Sequence, residues 1–265
     1  MAKSDPMNIL LRRGSGHGDV LLVTSVIPGL HEKFPGSQIY FKTGKGFDAL
    51  ILHDPRIMGI HWNHHPPPDI NFDISTRVNH ALTWGKDIWM PIAMCRFVGV
   101  KFNLPQLFLL PEELQVADSC DVAIANRYPV IGGRAYQHMN QLAKYLVGAG
   151  YHVKQIDIGP PMCKGIDNAP LTVREAAAVV AKARCLVTID SVFLHVGVVL
   201  EKPIVAIFNP ESRTSPKNQY VPGCWIAHWK WPPERILPMV KHLLGDGPAP
   251  NEENTFDPAY KRSQS

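Results

Sequence analysis

Four places in this 265-residue chain combine residue types that could do chemistry. The first is RRGSGHGDVLL, Arg12 to Leu22, in which three glycines precede an aspartate and an apolar run. Glycine turns at helix starts hold phosphate in dinucleotide-binding proteins, where the spacing is G-x-G-x-x-G. Gly14 and Gly16 fit the first two positions, but Asp19 stands at the third, where its charge would repel a pyrophosphate. Such a site also wants an acidic residue at the end of the next strand to hold the ribose. Here that strand ends YFKTGKG, with Lys42. A nicotinamide-dependent oxidoreductase is therefore disfavoured, and the plain alternative is a tight turn with Asp19 as helix N-cap.

The second place is TIDSVFLHVGVVLEKPIVAIFNP. An apolar run ends at Asp190, a helix opens at Ser191 and Val192, and His195 lies about one turn on. The free N–H groups and dipole of such a helix start suit a phosphate. Asp190 and Ser191 can cap the helix or bond sugar hydroxyls, and His195 can donate to a phosphate oxygen. An ordinary cap and a buried histidine is the competing reading. The third place, IANRYPVIGGRAYQHMNQL, carries Arg127 and Arg134 in a glycine-containing loop after a strand. The arginine fork donates two hydrogen bonds to a phosphate; two solvated surface arginines are the alternative. Gly159 closes the strand YHVKQIDIG. The fourth, HWNHHPPPD with His61, His64 and His65, lacks a metal-site spacing or a further ligand and reads as a loop, not a metal centre.

The elements that position these residues alternate. MNILLRR, SQIYFKT, NFDIST, DVAIANR, YHVKQIDIG, CLVTID and PIVAIFNP read as strands. Between them run helical stretches: VLLVTSVIPGLHEKF with a kink at Pro28, residues 79–98, RAYQHMNQLAKYLVGAG, LTVREAAAVVAKAR with a Thr172–Glu175 capping box, SVFLHVGVVLEK and PPERILPMVKHLL. Strand–helix alternation implies parallel sheets with helices on their faces. A proline-punctuated break at LPQLFLLPEELQVADSC places a domain boundary at 118/119, giving domains 1–118 and 119–245 and a polar tail 246–265.

Composition narrows the class. Hydrophobic content of 45% and charged content of 19% suit a globular protein. The longest apolar runs fall short of a membrane span, and MAKSDPMN carries no signal-peptide core, which implies a cytoplasmic protein. The five cysteines form no CxxC pair and read as reduced thiols. Residues 1–120 hold 11 Lys+Arg and 11 Asp+Glu; residues 121–265 hold 16 and 12. The positive excess thus lies wholly in the second half, enough for a small anionic ligand and too little for a nucleic-acid stripe.

With these motifs in view, the chain resembles the family-9 glycosyltransferases, the group of the lipopolysaccharide heptosyltransferases. The resemblance rests on Gly18-Asp19 before an apolar helix, on LTVREAAAVVAKARCLVTIDSVFLHVGVVLEKPIVAIFNP, and on Arg134 and Tyr136 at a helix entry, and covers most of residues 8–245. Val192 stands where that family has glycine, Asn209-Pro210 where it has Gly-Pro, and Arg134 where it has lysine. The resemblance implies the GT-B architecture: α/β, with two Rossmann-like domains facing across a cleft. It implies an inverting transfer from a nucleotide-diphospho-sugar, with ADP-heptose as first candidate, to a glycan or lipid-linked acceptor, without metal or cofactor. Asp19 would be the general base, flanked on the acceptor side by Gly16, His17 and Gly18; Arg127, Arg134, Gly159, Asp190, Ser191, Val192 and His195 would hold the donor. A lipid-linked acceptor would place the chain peripherally at the inner membrane face. Transfer to a hydroxymethylated nucleic-acid base, disfavoured by the neutral first half, and a catalytically silent nucleotide-sugar-binding protein stand as alternatives.

Overall fold

The computed structural model describes residues 7–14, 16–62, 69–75, 89–126, 135–157, 160–168, 171–209 and 224–250. The chain divides into two compact units, Met1–Leu109 and Leu110–Ser265.

The first unit contains β1 (Asn8–Arg12), α1 (His17–Val23), a 3-10 turn (Thr24–Val26), α2 (Ile27–Lys33), β2 (Gln38–Lys42), β3 (Ile57–His61), β4 (Phe72–Ser75) and α3 (Met90–Val98). Its strands pair in parallel in the order β3-β2-β1-β4. Ile9, Leu10 and Leu11 of β1 are all buried, as expected for a central parallel strand covered on both faces. The expected kink at Pro28 is resolved as a division: α1 stops, a 3-10 turn intervenes, and Pro28 lies in the first turn of α2, where a missing N–H breaks no helix bond. Thr24 fixes this join, its Oγ1 donating to Leu21 O at 2.8 Å and accepting from Gln106 N at 2.9 Å. Within the stretch expected to be helical over 79–98, α3 begins after Trp89; residues 79–88 lie outside the described residues.

The second unit contains α4 (Pro111–Val116), β5 (Val122–Ala125), α5 (Met139–Gly148), β6 (Val153–Gln155), α6 (Val173–Lys182), β7 (Cys185–Ile189), α7 (Val192–Val199), β8 (Ile204–Phe208), β9 (Cys224–His228) and α8 (Pro233–Leu244). Its sheet is also parallel, in the order β6-β5-β7-β8-β9. The capping box of α6 forms: Glu175 N donates to Thr172 Oγ1 at 3.2 Å, and Thr172 N donates to Glu175 Oε2 at 2.7 Å. Three elements were not expected from sequence: the edge strands β3 and β9, and α4, which occupies the anticipated break. Leu110 N donates to Glu113 Oε2 at 2.6 Å to start α4, and Arg174 of α6 pairs with Glu113, tying α4 into this unit. α5 starts later than its motif suggested, at Met139.

The core of the second unit joins Val122 and Ile124 of β5 and Val187 of β7 to Leu142 and Leu146 of α5 and Met239 of α8. On another part of the sheet α7 approaches closely, and Gly197 is the reason it can. A Cβ there would lie 2.6 Å from Leu186 Cδ2 and 2.9 Å from Ile204 Cδ1. Among the described residues no helix is long and apolar enough to cross a membrane.

Both sheets reverse direction at a central strand. The first unit places β2 on one side of β1 and β4 on the other; the second places β6 on one side of β5 and β7 on the other. Parallel α/β sheets bind ligands beyond the carboxyl ends of the strands at such a reversal. The glycine turn comes directly after β1, and the Asp190–His195 segment directly after β7.

Gly197→Val is expected to lower unfolding stability by about 1–3 kcal/mol, the usual cost of overpacking a filled interface. Urea denaturation against the unaltered chain measures it.

Candidate functional site

In the first unit the backbone leaves β1 still tied to the sheet, with Arg13 N donating to Lys42 O at 2.9 Å. The next loop is pressed against it: Gly44 N donates to Gly14 O at 3.1 Å, and a Cβ on Gly44 would sit 2.7 Å from that oxygen. Gly16 then adopts φ 82°, the left-handed region that glycine enters without steric cost. It is Gly16, not Asp19, that occupies the N-cap of α1, with no side-chain capping bond. Asp19 lies at the third helical position, so capping is not its role. Its carboxylate folds back over Gly16, where a Cβ would approach Asp19 Oδ2 to 3.2 Å. Arg13 Nη2 donates to the same Oδ2. The arginine side chain is 11% exposed and the aspartate 32%, so one end of the pair is buried and the other reaches solvent.

The other members of the turn serve different ends. Gly18 is buried in the first turn of α1. The His17 ring packs edge-on against Phe47, centroids 5.1 Å apart. Burial lowers the His17 pKa from its ordinary value, against the opposing pull of the Gly46 carbonyl and the Asp48 charge. His61 closes β3 beside Tyr40, while His64 and His65 lie outside the described residues. Among the described residues no group of three His, Cys, Asp or Glu side chains could hold a metal ion.

In the second unit β7 delivers Asp190 and Ser191 to the carboxyl edge of the sheet. Ser191 is the N-cap of α7, its Oγ accepting from Phe193 N at 3.3 Å and sharing a 3.1 Å hydrogen bond with Thr188 Oγ1. The capping reading of Ser191 therefore describes its ground state. Val192 begins the helix, which carries no acidic residue in its first turn. Asp190, Ser191, His195 and Asn209 are all buried, the last at the end of β8.

Arg127, Arg134 and Gly159 lie outside the described residues, but the strand ends that lead to them do not. Asn126 Nδ2 donates to Tyr136 O at 3.1 Å, and Asn126 Oδ1 accepts from Tyr136 N at 2.8 Å. Asn126 N donates to Asp157 Oδ2 at 2.6 Å, and Gln155 Nε2 donates to Asp157 Oδ1 at 2.8 Å. Sequence reasoning missed this network. Its signal was a polar residue closing an apolar strand, Asn126 after VAIA, where a hydrophobic or turn residue would suffice. All five cysteines carry free thiols; burial pushes that of Cys185 up to about 12.

The lowered His17 pKa has a consequence for stability. Between its folded value and the ordinary 6.5, the unfolded chain binds a proton that the folded chain does not. Its stabilising contribution is therefore complete above the unfolded value and falls as pH drops toward the folded one. His17→Gln is expected to flatten the loss of stability as pH falls through and below 6.5. Chemical denaturation at several pH values measures the slope, and an unchanged slope overturns the assignment.

Comparison with known proteins bears on the same segments. Residues 168–237 match the model of glycosyltransferase family 9 (heptosyltransferase). An alignment 177 positions long, covering 51% of this chain, is 26% identical to lipopolysaccharide heptosyltransferase 2 of Salmonella typhimurium; the chain spans 50% of that relative's length. The solved glycosyl transferase family 9 structure from Veillonella parvula superimposes with a TM-score of 0.72 at 14% identity, over 91% of this chain and 98% of that one. The E. coli heptosyltransferase WaaC with ADP gives 0.69 at 13% identity, over 89% and 100%. The chain therefore has the GT-B fold of these α/β proteins, and the family it resembles is glycosyltransferase family 9, by sequence in its C-terminal unit and by fold over nine-tenths of its length.

Proposed function

We propose that this chain is an inverting, metal-independent glycosyltransferase. It moves a sugar from a nucleotide-diphospho-sugar to a hydroxyl group of a glycan or lipid-linked acceptor. The observation that carries this reading is where the family match falls. Residues 168–237 run through the end of β7, the start of α7 and the end of β8, the sheet edge that gathers Asp190, Ser191, Val192, His195 and Asn209. WaaC structures hold ADP and ADP-2-deoxy-2-fluoro heptose, which supports an adenine nucleotide and makes ADP-heptose the first donor to test.

In this reading the second unit takes the donor and the first takes the acceptor. The start of α7 and His195, with Arg127 and Arg134, neutralise the diphosphate as it leaves with the electron pair of the broken C–O bond, and Gly159 is assigned to donor binding. Asp19, presented by Gly16, His17 and Gly18, accepts the proton of the acceptor hydroxyl as that oxygen bonds to the anomeric carbon. Attack opposite the leaving diphosphate inverts the carbon. The first unit, Met1–Leu109, holds 11 Lys+Arg and 8 Asp+Glu, a small excess that suits a glycan or lipid-linked acceptor better than a nucleic acid, which normally draws on a stripe of Lys and Arg contacts. A lipid-linked acceptor places the protein at the cytoplasmic face of the inner membrane.

Two measurements test the reading. ADP and ADP-heptose are expected to raise the melting temperature of the full chain, by mass action, while NAD does not; no shift with any nucleoside diphosphate overturns it. Asp19→Asn is expected to slow sugar transfer by about 100- to 10,000-fold while keeping the ADP-induced shift. Full transfer activity in that variant removes the aspartate from the mechanism.

A further inference from the structure

The geometry points to Arg13 as the positioning residue for the Asp19 carboxylate. This inference rests on the proposed role of Asp19 as base. A general base must present one oxygen to the hydroxyl proton within hydrogen-bond reach, and a carboxylate on a solvent-accessible helix turn has rotamers to lose before it does so. Arg13 removes that freedom. Its backbone is still in register with the sheet through Lys42 O. Its side chain is 11% exposed, and its Nη2 donates to Oδ2 of the more exposed Asp19. The contact thus runs from a rigid element to a reactive one, the arrangement that fixes a functional group most tightly.

Gly16 completes the clamp. At φ 82°, with no Cβ, it lets the carboxylate lie back toward the turn, where a methyl group would come within 3.2 Å of Oδ2. With Oδ2 held, Oδ1 is the oxygen assigned to the incoming proton. Arginine is suited to this task because its guanidinium is planar and donates in fixed directions, whereas a lysine ammonium holds a carboxylate without fixing its plane.

The role is read by a double-mutant cycle on the full chain. ADP release from ADP-heptose is monitored with heptose-deficient lipopolysaccharide as acceptor, for the unaltered chain, Arg13→Gln, Asp19→Asn and the double variant. Arg13→Gln is expected to lower kcat by about 10- to 100-fold, as misplacement of a catalytic group does, with KM for the donor and the ADP-induced melting shift unchanged. Arg13→Lys is expected to recover part of the lost kcat. In the Asp19→Asn background the Arg13→Gln change is expected to cost nothing further, since residues acting as one unit are not additive. Losses that multiply in the double variant overturn the positioning role, because they mark Arg13 as acting independently of Asp19. So does an inactive Asp19→Asn beside a fully active Arg13→Gln. No acceptor-dependent turnover by the unaltered chain, or full activity of Asp19→Asn, overturns the underlying reading of Asp19 instead.

Discussion

Parallel strand pairing is the constraint that creates both candidate places. Two neighbouring parallel strands cannot be joined by a hairpin, so each connection must cross back over a face, usually as a helix. Every strand then ends at the same edge, and every helix after it begins there. A sheet that grows first to one side of a strand and then to the other leaves a crevice at that edge, because the two outgoing connections cover opposite faces. In the first unit the strand at the reversal is β1, and its carboxyl end leads into Arg13 to Asp19. In the second it is β5, with β7 beside it, and their carboxyl ends lead into Asn126 and Asp190–His195. The chemistry-bearing residues are therefore where the topology collects strand ends.

Polar groups at such an edge are costly when they are shut away from water without partners. The chain meets this in three ways. Ser191 uses its hydroxyl on the helix it opens and on Thr188. Asn126 bonds both backbone groups of Tyr136 and passes its own N–H to Asp157. Asp19 takes the guanidinium of Arg13. Each solution holds a strand end in one conformation. Tight glycine contacts do the complementary work: Gly44 lets one loop lie on Gly14, and Gly197 lets α7 close onto β7 and β8.

Much of this fold was legible in the sequence, and the reasons for the gaps are physical. Apolar runs such as NILLR and CLVTI declare buried parallel strands by themselves, and the capping box of α6 is a local pattern with a local cause. The edge strands are different. β3 carries Gly59 in its middle and leaves Met58 60% exposed, so it has no continuous apolar run to announce it. β9, CWIAH, is buried only at Ala227. α4 takes much of its definition from Arg174, sixty-one residues away, which no local window contains. Asp19 shows the same limit at finer scale. An aspartate just before an apolar run reads as a cap, but the positive φ of Gly16 starts the helix earlier and moves Asp19 inside it. The partner that then defines its carboxylate, Arg13, lies on the far side of the turn.

The contrast between the two turns argues for a division of labour between an acceptor side and a donor side. A helix start offers free N–H groups and the positive end of a dipole to whatever lies beyond it. At α1 the chain places its own carboxylate in that first turn, held by Arg13, so the helix start already has an anion beside it. At α7 the first turn contains no acidic residue. Glycine-rich sequence is thus the poorer guide to the phosphate: the turn with three glycines is already occupied by an anion of its own. At the serine-capped turn of α7 the neighbouring carboxylate, Asp190, stands before the cap and is buried, outside the first helical turn.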